Sequence, residues 1–246
     1  MITPLSENLA RLDDQIAAAC RRAGRSRSEV ELMAVSKTFP AASVIEASQA
    51  GLQLFGENRV QEFANKVAAL SPKPEGAKFH LIGHLQSNKA TRAAELFDGI
   101  DALDSLKLAE RLNEAAANLG KRLPVLIEVK LSIEETKAGI GPESAEAASL
   151  LERLPDLANL EPRGLMTIAP WGAPEDETRA CFGSLRTWRD RWAQAHPRLT
   201  LEVLSMGMSG DFALAIEEGA TRIRVGTALF GKRTPLPQEK SEAETL

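Results

Sequence analysis

Short apolar runs alternate with amphipathic segments along most of the chain. The apolar runs are rich in Val, Ile, Leu and Phe and lack strict alternation, which is typical of parallel strands buried on both faces. Eight such runs predict strands, at residues 31–37, 52–57, 78–83, 99–104, 124–131, 162–169, 200–206 and 222–229. The segments between them predict helices, as in the run whose apolar residues recur at spacings of three and four, at Cys181, Leu185, Trp188 and Trp192.

An additional helix is predicted before the first strand, from the apolar positions Leu5, Leu9, Leu12, Ile16 and Cys20. Eight alternating strand and helix units in 246 residues match the size of a TIM (β/α)8 barrel. A doubly wound open sheet is the alternative, but it favours a glycine-rich turn after the first strand, and residues 36–40 contain no glycine. The sequence therefore predicts a single-domain barrel over residues 1–233, followed by a charged, disordered tail at 234–246.

The charge balance narrows the possible partners. The net charge is −4 and no basic block is present, which argues against general nucleic-acid binding but allows a local site for a small phosphorylated ligand. The first residues lack the pattern of a signal peptide, and no apolar run reaches bilayer length, so we expect a cytoplasmic protein without a membrane partner. Cys20 and Cys181 lie far apart and predict small core residues.

Lys37 is the first candidate for chemistry. It is the single cation at the end of an apolar run that begins at Glu31. A lysine at a strand end often only extends towards solvent. In a barrel, however, the carboxyl ends of the strands carry the active site, and a neutral lysine amine there can form a Schiff base with a carbonyl.

The ends of the seventh and eighth strands predict a phosphate site. Residues 205–211 supply Gly and Ser, with Ser209 and Asp211 as N-cap types before a helix predicted at 212–218. The eighth strand ends at Gly226 and Thr227, which offer unhindered backbone N–H groups and a hydroxyl. Each turn alone could be an ordinary βα connection, but phosphates often bind at these two loops of a barrel. A lysine amine and a phosphate site on one rim together indicate pyridoxal 5′-phosphate.

Several other side chains are expected near this site. Arg224 lies one step deeper than Gly226 and could donate to a pyridine nitrogen, which an always-protonated guanidinium would keep unprotonated. For Arg222 we expect an ion pair with glutamates at a barrel end. Asn58 is either a partner for a ring oxygen or the N-cap of the following helix. His80 and His84 have no evident third ligand, so no metal site is predicted.

The motifs taken together resemble the pyridoxal phosphate homeostasis protein family over almost the whole chain. The resemblance is carried by the segments 34–38, 56–62, 80–89, 164–166, 205–209 and 224–231. It implies a single-domain barrel like the N-terminal domain of alanine racemase, with pyridoxal phosphate held as an aldimine on Lys37. It also implies phosphate contacts from Ser205, Gly226 and Thr227, and a contact of Arg224 with the pyridine nitrogen.

Two features depart from the family pattern or have no counterpart in it. Residues 128–130 read Glu-Val-Lys at the end of the fifth predicted strand, where the family often has a Val-Asn pair, so that wall of the pocket is expected to differ. Trp171 follows the sixth strand and has no role that the sequence assigns.

The resemblance implies buffering and delivery of the cofactor, with apoenzymes that depend on pyridoxal phosphate as possible recipients, and no established catalytic turnover. An amino-acid racemase is the alternative. Related racemases use a tyrosine from a second domain of the partner subunit, whereas this chain contains no tyrosine. A Schiff-base aldolase acting on a phosphosugar through Lys37 is a more remote possibility.

Overall fold

The computed structural model describes residues 3–131 and 138–231. It contains one closed barrel of eight parallel strands, in which each strand pairs with its neighbours in chain order and β1 pairs with β8. The strands are β1 Glu31–Val35, β2 Leu54–Glu57, β3 Lys78–Leu81, β4 Gly99–Leu103, β5 Leu123–Glu128, β6 Leu160–Met166, β7 Val203–Ser205 and β8 Arg222–Val225. The predicted TIM barrel is therefore confirmed, and the open sheet is excluded.

Helices surround the barrel. They are α1 Pro4–Arg22, α2 Ala41–Gln49, α3 Val60–Ala69, α4 Ala90–Leu96, α5 Leu106–Asn118, α6 Ala145–Arg153, α7 Glu175–Ala195, α8 Phe212–Glu217 and α9 Thr227–Phe230, with short 3-10 turns at Arg27–Glu29, Ser87–Lys89 and Leu154–Asp156. The additional N-terminal helix is α1. It begins with a capping box at Thr3 and Ser6 and buries Leu12, Ile16 and Cys20 against the barrel.

The prediction for the eighth strand was wrong at its end. Residues 222–229 were expected to be extended, but β8 stops at Val225 and Thr227 begins α9. Gly226 lies between them, and a Cβ atom there would come within 3.2 Å of the Val35 carbonyl oxygen, so the chain turns where it is packed tightly against the end of β1. The end of β8 is therefore a strand-to-helix turn.

Side chains of the strands divide into an outer and an inner set. The outer set packs against the helices in one large core that includes Phe55, Phe63, Phe79 and Phe97. Smaller clusters on the alternate residues lie inside the barrel: Met33, Val35, Leu54 and Ile82 form one, and Ala102, Leu126 and Met166 form another. This alternation fixes which side chains at the strand ends can face a ligand.

The predicted tail, 234–246, lies outside the described residues. Among the helices that the structure does describe, none is long and apolar enough to cross a membrane. Across residues 3–131 and 138–231, no three His, Cys, Asp or Glu side chains are grouped in a way that could hold a metal ion.

Candidate functional site at the barrel rim

Lys37 lies two residues after the end of β1, in a turn closed by the N–H of Phe39, which donates to the carbonyl oxygen of Ser36 at 3.0 Å. Met33 and Val35 point inwards, and continuing this alternation to Lys37 predicts the same face for its side chain. Lys37 is partly buried. Its neighbour Ser36 is fully buried, and its hydroxyl donates to Oε1 of Glu57, the last residue of β2, at 2.7 Å. The alternation along β1 thus predicts that the Lys37 amine faces the space above the barrel interior.

Arg224 lies inside the barrel, below this rim. Its Nη1 donates to the carbonyl oxygen of Ser205 at 2.7 Å and to Oγ of Ser205 at 2.9 Å, and its Nη2 donates to the carbonyl oxygen of Thr167 at 2.7 Å. Burial lowers the pKa of Arg224, and the carboxylates of Asp101, Glu128 and Asp211 oppose that effect. Since an arginine stays protonated in proteins, the site contains a fixed positive charge.

Arg222 forms the ion pair that was expected from the sequence. Its Nε donates to Oε2 of Glu31 at 2.8 Å, and its Nη1 also donates to Oδ2 of Asp101 at 3.1 Å. The other oxygen of Asp101 bonds to Nδ1 of His80 at 2.8 Å. Burial alone would raise the pKa of Asp101, but His80 and Arg222 hold it below its ordinary value. This chain of polar contacts runs through the barrel interior beneath the site, and its central residue, Asp101, was not foreseen.

Room for the His80 ring is made by a glycine. A Cβ atom on Gly99 would lie 2.5 Å from Cε1 of His80. On β4, Gly99 therefore leaves space for the imidazole of His80, and Asp101 forms a hydrogen bond with it. A polar residue two positions after a glycine in an apolar strand is the sequence feature that could have indicated this pair.

The loops after β7 and β8 meet at the rim. The N–H of Arg224 donates to the carbonyl oxygen of Gly207 at 3.0 Å, and the N–H of Ala228 donates to Oγ of Ser209 at 3.4 Å. Gly226 and Thr227 lie between these two contacts, and Thr227 is exposed. The structure thus brings the two predicted phosphate-binding turns side by side.

One expectation about these loops was wrong in detail. Asp211 is the N-cap of α8 by position, but its side chain makes no capping hydrogen bond. Instead Oδ1 of Asp211 accepts from the N–H of Met208 at 2.5 Å, which closes the loop on itself. Burial raises the pKa of Asp211. Ser209, the other N-cap candidate, instead joins the two loops by accepting a hydrogen bond from the N–H of Ala228.

Asn58 lies at the end of β2, against Gly83. A Cβ atom on Gly83 would lie 2.3 Å from the carbonyl oxygen of Asn58 and 2.8 Å from its Oδ1, so only glycine lets the two strand ends approach this closely. The N-cap of α3 is Arg59, without a side-chain hydrogen bond, so the N-cap interpretation of Asn58 was wrong. The glycine at 83 therefore positions the Asn58 side chain at the rim.

Glu128 is a further acidic residue of the site. It ends β5 on the same face as Leu126, which lies inside the barrel, and only 5% of the residue is exposed. Its Oε2 has no hydrogen-bond partner within the described part of the chain. Burial, with a smaller contribution from the charge of Asp104, raises the pKa of Glu128 to about 7, although Arg224 opposes the shift. The expected departure at 128–130 thus places a carboxyl group that titrates near neutral pH in the pocket wall.

Trp171 lies between β6 and α7 and is 90% exposed, and Ile168 on the same segment is 37% exposed. Neither side chain contributes to the core. Trp171 is therefore a surface residue on the rim side of the barrel.

Residues 8–234 match the family model described as alanine racemase, N-terminal domain. The chain is 43% identical over 233 residues to the pyridoxal phosphate homeostasis protein of Vibrio cholerae, an alignment that covers 93% of this chain and 96% of that protein. It is 41% identical over 231 residues to the protein of the same name in Escherichia coli strain K12, with 93% and 97% covered.

Solved structures give the same result for the fold. PipY of Synechococcus elongatus PCC7942, determined with PLP bound, is 46% identical, has a TM-score of 0.79, and is matched over 99% of its chain and 89% of this one. Alanine racemase of Clostridium difficile 630 has a TM-score of 0.70 at 16% identity, and the match covers 96% of this chain but 57% of the racemase. At that identity the likeness concerns the barrel alone.

Proposed function

Because the chain belongs to the pyridoxal phosphate homeostasis protein family, we propose that it binds pyridoxal 5′-phosphate at the barrel rim and takes part in the intracellular homeostasis of this cofactor. The observation that supports this most directly is the convergence of Lys37, Arg224 and the joined loops after β7 and β8 at one end of the barrel. A cytoplasmic location belongs to the same proposal.

The residues present fit the cofactor. Gly226 and Thr227 lie between hydrogen-bonded loops and offer N–H groups and a hydroxyl to a phosphate, and the charge of Arg224 lies below them. Ser205 is next to Arg224, and its hydroxyl still has a proton to donate. The aldehyde of the cofactor supplies the carbonyl with which the Lys37 amine condenses.

The remaining contacts follow from position. Arg224 already donates three hydrogen bonds with Nη1 and Nη2, and a guanidinium has five N–H groups, so further donation to a ring nitrogen is possible. Such a donor keeps that nitrogen unprotonated and weakens the ring as an acceptor of electrons. Asn58, fixed against Gly83, supplies an amide for a ring oxygen.

This arrangement favours binding and delivery over catalytic turnover. Arg224 disfavours a stabilised carbanion, and no tyrosine is present to act as an acid or base. Apoenzymes that depend on the cofactor are the proposed recipients.

Glu128 is the one observation that favours a weak racemase-like activity as a second candidate. β5 lies opposite β1 in the closed order of eight strands, so Lys37 and Glu128 end opposite strands. Two groups that exchange protons therefore flank the site. Racemisation of alanine by the reconstituted protein, abolished by Glu128→Gln, would establish this activity; an unchanged rate in Glu128→Gln would remove Glu128 from it.

The proposed function is tested by absorbance and covalent trapping. The purified protein, with added pyridoxal phosphate, should develop an absorbance band that borohydride reduction abolishes, and peptide mapping should place the adduct on Lys37. Lys37→Ala should lose the adduct, and Lys107→Ala, which removes an exposed lysine on α5, should keep it. A wild-type protein that forms no adduct would overturn the proposal and reopen the phosphosugar aldolase.

A further inference from the structure

We propose that Glu62 and Lys66, on the outer helix α3, are positioning residues that hold the backbone on both sides of Lys37. The inference rests on the proposed function, because it takes the Lys37 amine to be the group that bonds to the cofactor. Neither side chain is in the barrel interior, so they act through the residues that flank Lys37.

The side before Lys37 is held by Lys66. Its Nζ donates to the carbonyl oxygen of Ser36 at 2.8 Å and to Oε1 of Glu57 at 2.6 Å. The same oxygen of Glu57 accepts from the Ser36 hydroxyl. The side chains of Lys66 and Glu57 are 8% and 0% exposed, so water does not compete for these bonds. The hydroxyl and the carbonyl oxygen of Ser36 are thereby tied to the Glu57–Lys66 ion pair.

The side after Lys37 is held by Glu62. Thr38 has φ of 66°, and it is the one non-glycine residue with a positive φ in the described ranges 3–131 and 138–231. This conformation is unfavourable for a β-branched residue. The N–H of Thr38 donates to Oε1 of Glu62 at 2.5 Å, and the N–H of Phe39 donates to the carbonyl oxygen of Ser36 at 3.0 Å, which closes a turn around Lys37 and Thr38. Glu62 and this turn therefore hold Thr38 at its positive φ together.

The two contacts have a common consequence. Lys66 holds Ser36 before Lys37, and Glu62 helps to hold Thr38 after it. The direction of the Lys37 side chain is therefore set by these two contacts with α3. The spacing of four residues places Glu62 and Lys66 on one face of that helix, towards the end of β1. Without Glu62, Thr38 can relax to a negative φ, and the peptide that follows Lys37 then rotates.

The experiment compares Glu62→Ala with Glu62→Gln, which keeps an oxygen that can accept from Thr38. Loading with pyridoxal phosphate is followed by absorbance and borohydride trapping, and binding without a covalent link is measured with 4′-deoxypyridoxine 5′-phosphate, which lacks the aldehyde. Glu62→Ala should slow covalent loading about tenfold, equivalent to about 1.4 kcal/mol. Glu62→Gln should restore most of the rate, and the affinity for the analogue should stay unchanged in both.

The same Glu62 substitution is then made in a protein that carries Thr38→Gly, because glycine adopts a positive φ without strain. In that background Glu62→Ala should slow loading less than about threefold, by the same conversion. Equal effects of Glu62→Ala in both backgrounds, or a parallel loss of analogue affinity, would overturn the inference. Absence of any adduct on wild-type Lys37 would instead count against the proposed function.

Discussion

Ser205 accepts two hydrogen bonds from Nη1 of Arg224, one on its carbonyl oxygen and one on its hydroxyl. Both residues are buried, and they join β7 to β8 inside the barrel. Ser205 was expected from the family resemblance to contact phosphate. Its partner in the structure is Arg224. Ser205 therefore orients the guanidinium, and the same hydroxyl remains able to donate to the phosphate, as proposed.

Arg224 and Arg222 give a matched pair for mutation. Arg224→Gln removes the charge proposed to face the ring nitrogen, and it should weaken cofactor binding at least about tenfold and shift the absorbance of the bound cofactor. Arg222→Lys disturbs the pairs with Glu31 and Asp101 and should cost about 2 kcal/mol of folding free energy. Absorbance titration and thermal unfolding measure the two effects. An identical spectral shift in both variants would contradict the distinct role of Arg224.

Gly83→Ala should displace Asn58 from the rim. The added methyl group meets the carbonyl oxygen of Asn58 at 2.3 Å, a contact that backbone movement must relieve. We expect weaker cofactor binding from titration of the variant. Gly183→Ala is the control, because Gly183 lies in α7 and an added Cβ atom would meet only Oε2 of Glu218, at 3.4 Å. This variant should raise the free energy of unfolding by about 0.5–1 kcal/mol, because alanine favours the helix more than glycine does. Unchanged binding in Gly83→Ala would show that Asn58 has no part in the site.

Glu128→Gln should stabilise the apoprotein increasingly as the pH rises. The pKa of Glu128 is raised from 4.5 to about 7, so the folded state binds its proton more tightly than the unfolded state does. Ionising the buried carboxyl therefore costs folding free energy that grows between about pH 4.5 and pH 7 and is constant above. Between pH 5 and pH 8 the stability of Glu128→Gln relative to wild type should increase by roughly 2.5 kcal/mol. Chemical denaturation at the two pH values measures this change, and a difference independent of pH would show that Glu128 titrates normally.

Lys37→Ala should abolish the covalent adduct but keep weaker binding through Ser205, Gly226 and Thr227. The loops that carry these residues are held by backbone contacts that do not involve Lys37. Equilibrium dialysis with pyridoxal phosphate measures the residual affinity. Complete loss of binding would contradict a preformed phosphate site.

The barrel could be predicted from the sequence because eight buried strands leave a strong apolar pattern, and this pattern placed every strand within a few residues. The end of β8 could not be predicted in this way. Residues 226–229 continue the predicted strand, but Thr227 begins α9 and Gly226 closely approaches Val35 of β1. That approach is a tertiary contact that no local pattern contains.

The site was predictable only in part for a similar reason. Lys37, Arg224 and Gly226 follow from their positions at the ends of strands, where chemistry is expected. Their contacts with the cofactor stay predictions. Asp101 and Glu62 were missed because each acts through a partner on another element, and a single charged residue in a strand or helix usually has a solvent contact.

Closure of the barrel has a consequence for how the protein is made. Met33 on β1 pairs with Arg224 on β8, and Glu31 bonds to Arg222 across 191 positions of sequence. During synthesis Lys37 leaves the ribosome well before Arg224, Gly226 and Thr227 are added. A nascent chain therefore contains the lysine proposed to bond to the cofactor before it contains the loops proposed to hold the phosphate. Tight retention of the cofactor is thus a reporter that the last strand has docked against the first.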